Sequence, residues 1–192
     1  MTEDIRAFIA IELPEGIKGK LSEVQEQLKS GRSRAKWVAP ESIHLTLRFL
    51  GGISADTVAG VTQAMEEAAL GAAPFRLVVS GLGVFPNPKR VQVVWAGLMG
   101  EVDRLTQLQR DLDSALTKLG FTPESRPFTA HLTLARMRDE ASPFEREAVG
   151  RLVESTRFDG GEFPVDSISL IRSQLRKEGP IYTRMVAVPL VQ

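Results

Sequence analysis

Only two histidines occur in this chain of 192 residues, and each opens a copy of the same tetrapeptide, HLTL. The first copy occupies residues 44–47 and the second residues 131–134. Because the ordinary pKa of histidine is about 6.5, one imidazole can accept a proton near neutral pH while another donates one. The repeated word therefore predicts a site in which two imidazoles share acid–base chemistry.

Each HLTL copy has the pattern of a β-strand, in which side chains alternate between two faces. Alternation places His44 on one face with Thr46 and Arg48, and it places three apolar residues on the other face, namely Leu45, Leu47 and Phe49. His131 and Thr133 share a face in the same way. Two imidazoles can transfer protons at a phosphate ester, and two hydroxyls can hydrogen-bond its non-bridging oxygens. The motifs therefore predict phosphate ester chemistry.

A metal centre is poorly supported by the sequence. Cysteine is absent, and the two histidines lack both an H-E-x-x-H motif and a third histidine, so only a carboxylate could complete a site. A serine nucleophile is equally unsupported, because no G-x-S-x-G elbow occurs. We therefore predict a reaction that needs neither metal nor cofactor.

Two landmarks recur at nearly the same distance along the chain. His131 follows His44 by 87 residues, and Phe163 follows Phe75 by 88. This offset indicates a tandem duplication within one domain, with a first repeat over about 1–88 and a second over 89–192. The predicted fold is α+β: two pseudo-symmetric lobes, each a mostly antiparallel sheet with helices on its outer face, and an active-site cleft between the lobes.

Periodicity and turn residues predict the elements of both repeats. Besides the HLTL strands, strands are expected at 5–13, 75–85, 91–98, 163–172 and 181–190. Helices are expected after the first strand, after Ser54, over 101–119 and from Pro143, where Ser142 and Glu145 have the spacing of a capping box. The polar, basic segments 30–37 and 173–179 are predicted as loops.

Aromatic and basic residues near the motifs are candidates for binding the rest of a substrate. Trp37, Phe85 and Tyr182 could stack on a base, although packing in the core explains such residues equally well. Arg90 lies among basic loop residues that could contact phosphates, which also include Arg32, Arg34, Lys36, Lys89, Arg172, Arg176 and Lys177. Arg136 lies five positions after His131, so strict alternation points it away from the histidine face unless a β-bulge redirects it.

Composition limits the class of protein. The 24 acidic residues balance 24 lysines and arginines, which argues against a broadly basic nucleic-acid binder but not against a local basic patch. The first residues are acidic where a signal peptide would be basic, and no apolar run is long enough to cross a bilayer. We expect an intracellular, cytoplasmic protein without membrane contact, acting as a monomer.

Taken together, these motifs resemble the two-histidine phosphoesterase superfamily. More narrowly, the chain is similar to the LigT-like RNA 2′,3′-cyclic phosphodiesterases, formerly named 2′-5′ RNA ligases. The resemblance covers nearly the whole sequence, through RAFIAIELP, WVAPESIHLTLRFLG, GLGVFPNPKR, VVWAGL, RPFTAHLTLAR and YTRMVAVPL. One small departure is Ala130, where many relatives have proline, which affects the stiffness of the loop and not the chemistry.

The resemblance implies both an activity and a role for each motif residue. It implies hydrolysis of a 2′,3′-cyclic phosphate, on RNA or on a nucleotide, to a 2′-phosphomonoester. It also implies reversible 2′-5′ joining of some tRNA halves. His44 would be the proton donor to the departing 3′ oxygen, His131 the acceptor that activates water, and Thr46 and Thr133 would hold the phosphate.

Three alternatives stay open at the level of sequence. The site could serve mainly to join RNA ends, because one set of residues can catalyse both directions. The cleft could bind RNA ends or nucleotides without catalysis, although binding alone would not need two proton-transfer groups. The histidines could also be structural residues of the core.

Overall fold

The computed structural model describes residues 4–31 and 33–192, which form nine β-strands and four α-helices. The strands are β1 Ile5–Glu12, β2 Ala35–Trp37, β3 His44–Ile53, β4 Phe75–Phe85, β5 Val93–Gly100, β6 Leu132–Met137, β7 Asp159–Val165, β8 Ser167–Arg176 and β9 Gly179–Pro189. The helices are α1 Glu15–Lys29, α2 Thr57–Ala69, α3 Val102–Lys118 and α4 Pro143–Ser155.

The strands form two sheets, and every pairing between named strands is antiparallel. Sheet A has four strands in the order β3-β1-β8-β9, and sheet B has five in the order β2-β6-β5-β4-β7. Two antiparallel sheets with four helices confirm the predicted α+β class with two lobes. The first HLTL motif lies on sheet A, and the second lies on sheet B.

Apolar stripes on the helices form the main core with one face of each sheet. In α1 the four apolar residues at helical spacing are all buried, namely Ile17, Leu21, Val24 and Leu28. Helix α3 also buries leucines at helical spacing, and it is followed two residues after its end by Gly120, whose φ of +94° suits a residue without a side chain. The other face of sheet A carries a small separate cluster of Phe8, Ala10 and Ile171, against which Tyr182 packs.

Helix α4 begins with the capping box that the sequence predicted. The Ser142 hydroxyl accepts a hydrogen bond from the backbone N–H of Glu145, and the Glu145 carboxylate accepts one from the backbone N–H of Ser142.

Among the described residues, no helix combines the length and apolar character needed to span a bilayer.

The sheets do not follow the two halves of the chain. Strand β4 of the first half lies between β5 and β7 of the second half, and β8 of the second half lies next to β1 of the first. Each lobe is therefore built from strands of both halves of the chain. The tandem duplication itself stays a prediction.

Residues 163–172 were predicted as one strand, and that prediction is wrong. The segment breaks at Asp166, so that β7 pairs with β4 in sheet B while β8 pairs with β1 in sheet A. Pro164 lies in β7, at the edge of its sheet, where the missing N–H costs least. Apolar residues occur on both sides of Asp166, so the sequence does not indicate that the chain passes there from sheet B to sheet A.

The two predicted loops both contain strand. Segment 173–179 is the end of a β-hairpin, because β8 and β9 pair along their length as far as Arg176 and Gly179. Segment 30–37 contains β2, whose three residues pair with β6. The first HLTL strand also runs through Gly51 and Gly52 to Ile53, although paired glycines are unfavourable in a strand. In each case backbone pairing overrides a polar or glycine-rich sequence.

Candidate active site

The two HLTL motifs meet at one cleft between the sheets. Its volume is about 630 Å³, and both histidines and both threonines line it, namely His44, Thr46, His131 and Thr133. The walls come from β1, β3, β8 and β9 of sheet A and from β6 of sheet B with the residue before it. The structure thus brings together the four residues that were predicted from the sequence as the site.

His44 begins β3 and sits in an aromatic environment. Its ring stacks on Phe8 with centroids 4.6 Å apart, and Tyr182 meets it edge-on at 5.2 Å. Burial removes water from the ring and lowers its pKa from 6.5 to about 4, although a hydrogen bond with the backbone of Ser42 and the charge of Glu12 act in the opposite direction. In the unliganded protein at neutral pH, His44 is therefore uncharged.

His131 stands just before β6 and has its tautomer set by the backbone. Its Nδ1 lies 2.7 Å from the carbonyl oxygen of Thr129. A carbonyl can only accept, so Nδ1 carries the proton and Nε2 of the neutral ring offers a lone pair. The backbone partner of His44, Ser42, also lies two residues before its histidine, so each ring has a hydrogen-bond partner at the same position in the sequence.

A β-bulge interrupts each motif strand at the same place. In β3, Arg48 faces Ile9 while Thr46 faces Ala10, which leaves Leu47 as the extra residue. In β6 the extra residue is Leu134, because Ala135 pairs with Val94 and Thr133 with Trp95. A bulge shifts the alternation by one, so the next side chains change face.

Because of the bulges, Arg48 and Phe49 lie on the faces opposite to those expected from alternation, and the orientation of Arg136 is decided. Phe49 and Arg136 both line the cleft, whereas strict alternation had placed them on the opposite face. Arg136 is thus redirected by a bulge, which was one of the two readings that the sequence allowed. Arg48 was expected beside His44 but is turned inward, where it is only 7% exposed.

Arg48 is stabilised in this position by the segment that leads to the second motif. Its guanidinium lies 3.1 Å from carboxylate oxygens of both Asp113 and Glu124, and it donates to the carbonyl oxygen of Thr122. A buried cation is tolerated when it is paired and hydrogen-bonded. This cluster therefore ties the first motif strand to α3 and to the segment between α3 and His131.

The other predicted binding residues separate into two groups. Tyr182 lines the cleft with Arg136, and the Phe85 ring lies nearly perpendicular to that of His131 with ring centroids 5.1 Å apart. Trp37 instead lies on β2, with the Lys29 ammonium 5.9 Å from the centre of its ring. Arg90 is exposed in the turn after β4 and lies outside the residues that line the cleft. Arg32 lies outside the described residues.

Several residues that line the cleft were not selected from the sequence. They are Arg6 and Phe8 on β1, Ser42 before the first motif, and the β8–β9 hairpin residues Ser173, Leu175 and Pro180. The β1 residues belong to a nearly continuous apolar strand, so no alternation marked the cleft face. Ser173 and Leu175 belong to the segment that had been predicted as a loop, and Pro180 directly follows that segment.

No group of three or more histidine, aspartate or glutamate side chains that could hold a metal ion occurs within residues 4–31 and 33–192. The polar side chains that line the cleft are the two imidazoles, the two threonine hydroxyls, the hydroxyls of Ser42 and Ser173, the Tyr182 phenol and the guanidinium groups of Arg6 and Arg136. Burial raises the pKa of Tyr182 above its ordinary value, so the phenol keeps its proton and can donate a hydrogen bond.

Comparisons with known proteins agree with this arrangement. A family model described as LigT like Phosphoesterase matches residues 11–95 and 97–182, and each segment contains one HLTL motif. The RNA 2′,3′-cyclic phosphodiesterase of Methanothermobacter thermautotrophicus is 37% identical over 182 residues, which cover 94% of this chain and 96% of the relative.

Solved structures extend the likeness to the fold. The protein TT0787 of Thermus thermophilus matches with a TM-score of 0.80 and 30% identity, covering 97% of this chain and 98% of that one. Escherichia coli LigT complexed with phosphate matches with a TM-score of 0.73 and 25% identity, over 99% of each chain. The protein belongs to the LigT-like phosphoesterases, a family of the two-histidine phosphoesterase superfamily.

Proposed function

We propose that this protein hydrolyses the 2′,3′-cyclic phosphate at an RNA end, or on a nucleotide, to a 2′-phosphomonoester without a metal ion. The observation that carries the proposal is the convergence of both HLTL motifs on one cleft. The relative from Methanothermobacter thermautotrophicus, which matches nearly end to end, is named for this activity. A phosphate complex of Escherichia coli LigT supports the choice of ligand.

His131 is the proposed general base. Its Nε2 lone pair takes a proton from water, and the water oxygen attacks the phosphorus atom. The bond from phosphorus to the 3′ oxygen breaks, and His44 gives its proton to that oxygen. The product carries a 2′-phosphate and a 3′-hydroxyl, and water restores the protonation states of the two rings.

His44 must be charged before it can act as the acid, although it is neutral in the empty cleft. The substrate supplies the missing stabilisation, because a phosphate anion within a few ångströms favours the imidazolium form. Glu12, directly across from His44 in the β1–β3 ladder, adds a second negative charge. Binding of substrate and loading of the proton are therefore coupled in this proposal.

The remaining contacts are assigned from the position of each side chain. Thr46 and Thr133 are proposed to donate hydrogen bonds to the non-bridging phosphate oxygens. Arg136 and Tyr182 are proposed to contact the nucleotide, since both line the cleft. Phe85 acts on the substrate only through His131, whose ring it supports. Trp37 and Arg90 are given no substrate contact.

The same residues can catalyse 2′-5′ joining when the 5′-hydroxyl of a second RNA end replaces water. tRNA halves are the proposed substrates of that reaction. All four motif residues come from one chain, which supports a monomeric enzyme, and we place it in the cytoplasm. Gel filtration and cell fractionation test these two assignments.

The decisive experiment measures hydrolysis of a nucleoside 2′,3′-cyclic phosphate in excess chelator. We expect full activity with EDTA and a loss of about 10²–10⁴-fold in either His44→Ala or His131→Ala. Chromatography should identify the 2′-phosphomonoester as the product. An activity abolished by EDTA, or a 3′-phosphate product, contradicts the proposal. Tight binding of a 2′-nucleotide without turnover supports the non-catalytic alternative instead.

A further inference from the structure

The buried face of α1 carries one polar residue, Gln25, among apolar side chains. Gln25 is only 1% exposed, and the other buried residues of the helix are all apolar. Burying an amide is costly unless its hydrogen bonds are made. The Gln25 Nε2 group donates to two backbone carbonyls, that of Val38 at 2.8 Å and that of Leu134 at 3.0 Å.

These two carbonyls belong to the two halves of the active site. Leu134 is the bulged residue of the second motif, and its carbonyl also accepts from the backbone N–H of Val38 at 2.9 Å. Val38 lines the cleft and lies in the segment that leads from β2 in sheet B to His44 in sheet A. One buried amide thus joins the approach to the first motif with the bulge of the second.

The bulge decides where Arg136 points. A bulge removes a residue from regular ladder pairing, so its backbone groups need partners from elsewhere. At Leu134 the backbone N–H of Val38 provides one such partner, and the Gln25 amide provides a second. Without the bulge, alternation would turn Arg136 to the opposite face, away from the cleft.

We propose that Gln25 is a positioning residue of the active site, whose amide holds the Leu134 bulge against Val38 and so keeps Arg136 directed into the cleft. Its effect on turnover rests on the proposed function, whereas its effect on the orientation of Arg136 does not. Helix α1 thereby acts on the chemistry without contacting the substrate.

The test compares Gln25→Met, which keeps the length and loses both hydrogen bonds, with Gln109→Met. Gln109 is the matched control, because it is also a buried glutamine on an amphipathic helix, with 6% exposure. We expect Gln25→Met to lower kcat/KM for a cyclic nucleotide by about tenfold, as a misdirected contact does. In the double variant with Arg136→Met, the loss should equal that of Arg136→Met alone. Gln109→Met should retain normal kcat/KM per folded molecule.

An NMR measurement makes the test independent of catalysis. The Nε–H signal of Arg136, identified by its disappearance in Arg136→Met, should shift in Gln25→Met and not in Gln109→Met. An unmoved signal, or losses from Gln25→Met and Arg136→Met that multiply in the double variant, would overturn the proposal. If Gln25→Met does not fold, Gln25→Asn shortens the reach of the amide and is judged by the same outcomes. A wild-type enzyme inactive on every cyclic phosphate would refute the proposed function and leave the NMR comparison in force.

Discussion

The buried imidazole of His44 makes the stability of the protein depend on pH. In the folded chain its pKa lies at about 4, against 6.5 when the ring is exposed. Since the folded pKa is depressed, stability is fully present above pH 6.5 and is lost as pH falls from 6.5 towards 4. At about 1.36 kcal/mol for each pH unit, this interval corresponds to about 3 kcal/mol of unfolding free energy.

Urea unfolding of the wild type and of His44→Gln at pH 7 and pH 4.5 measures this contribution. Carboxylates also titrate over part of this range, so the informative quantity is the difference between the two proteins. We expect the wild type to lose more stability than His44→Gln by about 2–3 kcal/mol. His131→Gln is the control, since it keeps the buried His44 ring and should therefore retain a larger loss than His44→Gln.

NMR observes the same proton directly. With two histidines in the chain, the imidazole C–H signal of His44 is identified by its disappearance in His44→Gln. The His44 signal should titrate near pH 4 in the free protein and at higher pH when phosphate is bound. A His44 signal that titrates near 6.5 without ligand, or equal pH dependence of the wild type and His44→Gln, would refute the reasoning.

Three further predictions concern residues around the cleft and at the start of α4. Arg48→Met should lower the unfolding free energy by about 3 kcal/mol, because it leaves two carboxylates without their cation; a urea midpoint equal to that of the wild type would contradict this. Thr46→Val and Thr133→Val should each lower kcat/KM for a cyclic nucleotide by about 10–100-fold, because each loses a hydrogen bond to a charged group. The urea midpoints of both variants should equal that of the wild type. Unaltered kinetics would exclude contact between the threonine hydroxyls and the phosphate. Ser142→Ala should cost about 1 kcal/mol of stability through the lost N-cap, while Ser142→Asp, which can still cap, should not.

Much of the fold was predictable because periodicity reports which residues are buried. The apolar stripe of α1 and the capping box of α4 follow from residue types at fixed spacing. The two histidines and two threonines were predictable for a related reason, since a rare residue in a repeated word indicates a shared position. Each of these features is visible within a short stretch of sequence or in the comparison of two such stretches.

The features that could not be predicted depend on pairing between distant strands. Nothing in the sequence marks Leu47 or Leu134 as bulged, because a bulge is defined by the partner strand. For the same reason the break at Asp166 was hidden, since β7 and β8 differ in their neighbours and not in their apolar character. The orientation of Arg48, Phe49 and Arg136 follows from these pairings.

Because each sheet contains strands from both halves of the chain, neither half is expected to be stable without the other. If the chain were cut between residues 88 and 89, the first fragment would keep β4 but lose both strands that flank it, and the second would keep β8 but lose β1. Each fragment would expose unpaired backbone along a central strand, so neither could persist as a folded unit by itself. Mixed together, the fragments could restore every pairing, and catalysis would then serve as a reporter of their reassembly.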